Sequence, residues 1–529
     1  MGVSRREFVG MLLGGPAALA WGCRPHDRAP PPGTLLVPGM ARAHALIRDG
    51  RDGRDGKPPA VTRWRDHRVV IVGGGVAGLA AAWELKRRGV DDVVVLELDD
   101  VAGGTARGGA SAVTPYPWGA HYIVAPQAEQ TELAALLSEM GAIEGHAPDG
   151  TPIVDEALRC REPEERVWHL GRWWEGLYLE AGSNAPDRAQ LASFRAEIDR
   201  WAGWRDPQGR RAFAIPRSRG SDDPSVTALD RISFATWLDQ RGLTSGRLRW
   251  LADYACRDDY ALTAAETSAW AGIFYFAARQ RGPGLAAQTV VTWPNGNAAL
   301  VAQLASSAQV ERGVAVLDIS DDGTIIAIGP QGPFGIRAGA VIVATPTFVA
   351  NRIVASRRGQ GVGTADYGAW VVANVHLHDR PEERGHGAPP AWDNVFRDSP
   401  SLGYVSATHQ RGRDRGPTVW TWYYPFSDVD PRAVRERLAG AGHAEWAETI
   451  VTDLSRAHRD VRDKIEHIDI TFWGHGMIRP RVGATCSAER LARLVPHGRI
   501  HFAHTDLSGI SLFEEAFDHG LRAAREISL

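Results

Sequence analysis

Arg68-Val69-Val70-Ile71-Val72-Gly73-Gly74-Gly75-Val76-Ala77-Gly78 is the stretch on which the reading of this chain turns. Four β-branched residues in a row after Arg68 suit a strand buried on both faces of a parallel sheet. The glycines that follow open a helix-forming segment, Leu79 to Arg88, which Gly89 stops. A second strand, Val93-Val94-Val95-Leu96, ends in Glu97, 19 residues after Gly78. Strand, glycines, helix, second strand and terminal acid at this spacing make a βαβ dinucleotide-binding unit. Gly73 makes the tight turn, Gly75 lets the backbone approach a pyrophosphate, and Gly78 lets helix pack close to strand. The helix N-terminus receives the negative charge, and Glu97 accepts ribose hydroxyls, which disfavours a 2′-phosphate. The motif alone does not separate FAD from NAD.

Outward from this unit the chain is ordinary in composition. Its 529 residues are 44% hydrophobic and 23% charged, with a net charge of −3. That argues for a folded globular body and against nucleic acid as a partner. Towards the start, Ser4-Arg5-Arg6-Glu7-Phe8 precedes an apolar stretch that ends near Trp21. The expectation is a twin-arginine signal peptide over 1–23, with Cys23 a possible lipoprotein anchor and the protein exported, periplasmic or held on the outer side of the membrane. Residues 24–66, rich in Pro and Gly, read as a linker. With Cys23 set aside, Cys160, Cys256 and Cys486 allow one intramolecular disulfide at most and no CxxC site.

Beyond Glu97 stand Gly103-Gly104, Thr105-Ala106-Arg107 and Trp118-Gly119-Ala120-His121-Tyr122. Further on come Trp293 to Leu300, Val314 to Ile319, Gly339 to Pro346, Ile500 to Asp506, and Glu514-Glu515-Ala516 running to Ala524. In this order the segments resemble the flavin-containing amine oxidase superfamily, which includes protoporphyrinogen oxidases and carotenoid desaturases. The resemblance implies non-covalent FAD, since no cysteine follows Cys486. It places Gly103, Gly104 and Arg107 at the pyrophosphate, Gly119 and Ala120 at the flavin, Val316 at adenine, and Asp506, Glu515 and Ala516 at the cofactor's C-terminal wall. Two departures stand out: Thr105 follows the glycine pair where the family has Arg, and Glu515 stands where it has Gly. Ser511-Leu512-Phe513-Glu514 is an S-x-x-E capping box that starts a terminal helix at Leu512.

The expected fold class is α/β, a Rossmann-like FAD-binding domain built from 67–125, 295–370 and 495–529. A mixed α+β substrate domain is inserted as 126–294 and 371–494. One G-x-G-x-x-G in the chain argues against a separate NAD(P)H domain, so electrons enter from a small-molecule substrate. Its pocket is expected at the domain seam. His121 is the first candidate for a polar catalytic group near the flavin, and His475 the second. Trp420, Trp422 and Tyr424 share one strand face at period two and read as core before substrate wall. Asp258-Asp259-Tyr260 reads first as a solvated turn and second as carboxylates offered to a cation. His376-x-His378 lacks an evident third ligand, so no metal is expected.

The resemblance implies oxidation of an amine or polyamine by hydride transfer to flavin N5. The alternatives are a desaturase or protoporphyrinogen-oxidase-like dehydrogenase of an apolar substrate, and a non-catalytic flavin-binding assembly protein. An acid-lined pocket favours the first and an apolar pocket the second. Relatives often carry a lysine-held water at N5. The only lysines here are Lys57, Lys86 and Lys464, which points to a quinone or another carrier as electron acceptor.

Overall fold

The computed structural model describes residues 29–37, 39–49, 59–280, 282, 284, 289–358, 365–383 and 387–528. The proposed signal peptide and Cys23 lie outside them. The fingerprint strand spans Trp64–Val72, and its helix spans Val76–Arg87 with Gly89 at φ +78° beyond its end. This strand is a central member of a seven-stranded sheet. Val93–Leu96 pairs with it on one side and Gly332–Val343 on the other, both parallel. Gln309–Glu311 extends the sheet beyond Val93–Leu96, and Ile500–Phe502 joins Gly332–Val343 in parallel. The antiparallel strands Thr324–Gly329 and Ala315–Ile319 complete it. The sheet therefore takes strands from three separate stretches of chain, with Val69, Val70 and Ile71 fully buried. Phe513–Glu526, the terminal helix, packs along Val76–Arg87.

A second, eight-stranded sheet is built around Tyr367–Leu377, which pairs antiparallel with both Ile465–Ile478 and Thr418–Pro425. This central strand begins at Tyr367, slightly before the expected boundary at 371. Trp420 and Trp422 are buried in the core behind this sheet, where Trp422 Nε1 donates to Asp453 at 2.8 Å, so they are packing residues. The helices Ala185–Gly203, Phe234–Asp239, Gly246–Tyr260 and Ala269–Ala277 form a separate apolar cluster beside it. Among the described residues no helix is long and apolar enough to cross a membrane, and Cys160, Cys256 and Cys486 are free thiols.

The reading of 24–66 as a linker needs correction. Leu35–Leu36 adds a parallel strand to the edge of the eight-stranded sheet, opposite Ile470 and Thr471. Arg42 then donates to the carbonyls of Leu98 and Gly313, fastening the next turn to the nucleotide side. The fingerprint strand also starts at Trp64 and not at His67. A Pro- and Gly-rich composition hid two leucines with a sheet edge to pair with and an arginine with two carbonyls to reach.

Candidate functional site

Both sheets wall one cavity of about 1390 Å³, larger than the few hundred to about 1,000 Å³ of a drug-sized pocket. Its nucleotide end is made by Gly73, Gly75, Glu97, Gly103 and Gly104, with Val316 on the neighbouring wall. A Cβ on Gly75 would meet nothing within 4 Å and would project into the cavity, whereas one on Gly78 would stand 1.9 Å from the Gly73 carbonyl oxygen. Open space at the first and contact at the second are what the pyrophosphate and packing roles require. Gly103 and Gly104 have φ +118° and +57°, so the backbone turns back against Gly75 in a conformation that favours glycine. Glu97 accepts the Gly74 amide through Oε2 at 2.7 Å and the Asp99 amide through Oε1 at 2.8 Å. Each oxygen keeps a lone pair for a hydroxyl. Burial raises this carboxyl above its usual range, against those two amides. These residues fit a dinucleotide, with helix-end amides for its phosphates.

Two expected cofactor contacts are corrected. Arg107 does not line the cavity: it pairs with Asp99 at 3.1 Å and lies over the Trp473 ring at 5.1 Å. Thr105 stands at the wall instead. Glu515 turns away to accept the Arg217 amide at 2.7 Å, and burial pushes its carboxyl up to about 8. Phe513, Glu514 and Ala516 are the residues of that turn facing the cavity. The capping box does not form either. Leu512 is the N-cap, and Ser511 Oγ accepts the Ile478 amide, tying the helix entrance to the other sheet. Glu514 accepts from the Val124 amide at 3.1 Å. Asp506 lines the cavity where it accepts from the Thr347 amide and the Tyr367 hydroxyl, and its carboxyl is held down at about 2, His504 and those donors outweighing burial.

The loop carrying Gly119 and Ala120 is pinned from the eight-stranded sheet. Asn374 Nδ2 donates to Pro117 O at 3.1 Å, Trp473 Nε1 to Trp118 O at 2.8 Å, and Tyr423 Oη to Gly119 O at 2.9 Å. His121 faces the cavity, packed among Tyr122, Trp392 and Tyr423 with ring centroids 5.0–5.2 Å away. Burial brings its imidazole down to about 4, so it is neutral at pH 7. His475, also on the wall, stacks on Phe348 at 4.2 Å and is likewise lowered to about 4 by burial. Neither is a ready cationic acid at neutral pH. No lysine lines the cavity among the described residues: Lys86 is on the last turn of the fingerprint helix and Lys464 pairs with Asp379 at 3.3 Å.

Past this aromatic wall stands a group of which the sequence offered only Asp258 and Asp259, as the second of two readings. Glu164, Glu165, Asp258, Asp259 and Asp393 all face the same space. Arg279 donates to both oxygens of Asp259, at 2.8 and 3.0 Å, and lies over the Tyr275 ring at 4.1 Å. Arg279 thus stands against this group of carboxyls, with Arg195 also on the cavity wall. Burial and the neighbouring Asp259 push Asp258 up to about 7, and burial with Glu164 pushes Glu165 up to about 7. Asp393 is raised well above the usual carboxylate range, by burial and then by Asp258, while Tyr254 Oη donates to it at 3.3 Å. The reading of Asp258-Asp259 as a solvated turn is therefore overturned: both lie in the last turn of Gly246–Tyr260, and Asp259 is 5% exposed.

A raised carboxyl weakens the fold as pH climbs, because the folded state must give up a proton that the unfolded chain has already lost. Asp258→Asn is accordingly expected to raise Tm, by roughly 2–5 °C at pH 8. The gain should grow from about pH 4 and level off above about pH 7, as thermal unfolding across that range will show.

A family model for an NAD(P)-binding Rossmann-like domain matches residues 71–140. No curated protein matches the sequence. Among solved structures, putrescine oxidase with putrescine bound is similar at a TM-score of 0.64 and 19% identity, covering 88% of this chain and 99% of that one. Cyclohexylamine oxidase from Brevibacterium oxydans IH-35A gives 0.60 and 18%, covering 87% and 98%. The fold is the amine-oxidase fold. A CLA-producing fatty acid isomerase from P. acnes is also similar, with a TM-score of 0.61, 14% identity and coverage of 88% and 99%. The same fold thus occurs in two amine oxidases and in a fatty acid isomerase.

Proposed function

We propose that this protein is an exported FAD-dependent oxidoreductase that oxidises a diamine or polyamine. The observation that carries the reading is the set of five carboxyls behind the aromatic wall. FAD, held non-covalently at the glycine cradle, supplies the hydride acceptor. The chain's part is to orient the substrate. Asp258, Asp393 and Glu165 take a distal ammonium, Trp392 and Tyr423 flank the carbon chain, and Leu191, Phe194 and Ile198 exclude water from one side. An apolar substrate, as in a desaturase-like enzyme, would cover these carboxyls without pairing them, which is costly.

Anaerobic titration of the yellow protein with monoamines, diamines, polyamines and apolar candidates tests this. Diamines or polyamines are expected to bleach the flavin, monoamines poorly and apolar compounds not at all. Bleaching by an apolar compound alone would support the desaturase-like reading, and bleaching by none the non-catalytic one. The absence of a lysine from the described wall supports a quinone-type acceptor, so the bleached protein is expected to recolour faster with a quinone analogue than in aerated buffer. Export rests on Arg5 and Arg6: changing both to Lys is expected to leave FAD-loaded protein in the cytosol, as fractionation will measure.

A further inference from the structure

His376 sits mid-sheet on Tyr367–Leu377, directly opposite His467 on Ile465–Ile478, with Asp469 two residues on. Residues i and i+2 of a strand share a face, so the sheet itself brings the three side chains together. The expected partner His378 is not among them; it turns out to the Asp463 carbonyl at 3.0 Å. His376 has a side chain 5% exposed, and its Nε2 has no hydrogen-bond partner among the described residues. Asp469 Oδ2 lies 3.7 Å from that nitrogen and 3.8 Å from His467 Nε2. These gaps are too long for hydrogen bonds. They are close to the separation of about 3.4 Å between two donors on one tetrahedral ion at 2.0–2.1 Å.

We propose that His376, His467 and Asp469 form a binding site for a divalent transition-metal ion of the zinc class, apart from the cofactor cavity. Two neutral imidazoles and a carboxylate are a borderline donor set, which takes zinc-class ions in preference to magnesium or calcium. The three candidate ligand atoms lie within 4.8 Å of one another. The imidazole rings are stacked at 3.9 Å with an interplanar angle of 14°, so closing both on one ion requires a rotation. His467, with its side chain 36% exposed, is the ring with room to make it. Asp469 is already oriented: its Oδ1 accepts the Thr34 amide at 3.0 Å, which leaves Oδ2 towards the rings. The same bond joins the site to the Leu35–Leu36 strand, so a bound ion would clamp the N-terminal segment to the sheet.

The test uses the full FAD-loaded chain, stripped with chelator, desalted and titrated with Zn²⁺ alone by calorimetry, with elemental analysis of the product. One zinc per chain is expected, together with a zinc-dependent rise in Tm. Substituting buried His376 endangers folding, so the variants are His467→Ala and His467→Cys. Flavin content and zinc-free Tm serve as fold controls. His467→Ala should lose affinity on the order of 100-fold or more, and His467→Cys, which keeps a zinc ligand, should retain most of it. No stoichiometric uptake by the unaltered protein would overturn the proposal. So would uptake unchanged in His467→Ala, which would place the ion on the cavity carboxyls.

Discussion

Gly75→Val protein is expected to purify folded but colourless. Beyond its own chain neighbours, no atom of the described residues lies within 4 Å of the position a Cβ would take, so the protein itself accommodates the substitution. What the branched side chain removes is the space between the fingerprint turn and Gly104, whose own Cβ position is 3.6 Å from the Gly75 Cα. A pyrophosphate lying on the helix-end amides needs that space. FAD content, read as the visible-to-ultraviolet absorbance ratio, is expected to fall by roughly tenfold or more. Glu97→Ala should lower it less, because the amides at the helix end remain. Stoichiometric FAD in a folded Gly75→Val protein would place the phosphates elsewhere.

The second large effect concerns the carboxyls. Asp258→Asn combined with Asp393→Asn removes two carboxyl partners of a distal ammonium while keeping shape. Hydrogen bonds to charged groups contribute roughly 1.5–3 kcal/mol each. The kcat/KM for a diamine should therefore fall roughly 100-fold or more, with most of the loss in KM. For a monoamine of similar length it should change little. The unaltered protein should also bind the diamine more tightly as pH rises from 6 to 8, because Asp258 and Glu165, raised to about 7, must ionise to pair with it. An alkylammonium with a pKa near about 10 stays charged over that range. Steady-state kinetics with paired mono- and diamines across pH measure both effects. Equal losses for the two substrates would show that the carboxyls do not read the second charge.

The nucleotide half of the site is legible in the sequence because its signal is local. Strand, turn, helix and acid follow one another within thirty residues, and glycine spacing reports backbone approach directly. The substrate half is assembled from distant chain. Glu164 and Glu165 belong to Glu162-Pro163-Glu164-Glu165, which looks like any solvated charge run. Asp258 and Asp259 look like a turn until helix Gly246–Tyr260 docks with its last turn inward. Asp393 is a lone acid at the start of a short strand. Position in a motif also does not fix side-chain direction: Arg107 and Glu515 occupy the expected stretches yet point to Asp99 and Arg217. The one pointer available in advance was Asp258-Asp259 itself, had its helix been recognised.

The N-terminal segment that joins the sheet edge also reaches the cofactor cavity, where Gly39, Ala43 and His44 share the wall with Glu97 and Val316. A two-residue strand pairing, backbone bonds from Ile468 and Ile470 to Pro32 and Thr34, the Thr34–Asp469 bond and the two carbonyl bonds of Arg42 hold it there, and an edge segment with few such bonds is expected to open early. Residence of the dinucleotide is then a matter of timing as well as affinity. A dinucleotide bound there would lie beside this segment, so its release is expected to follow the segment's opening. Whatever displaces this segment would alter one wall of that cavity.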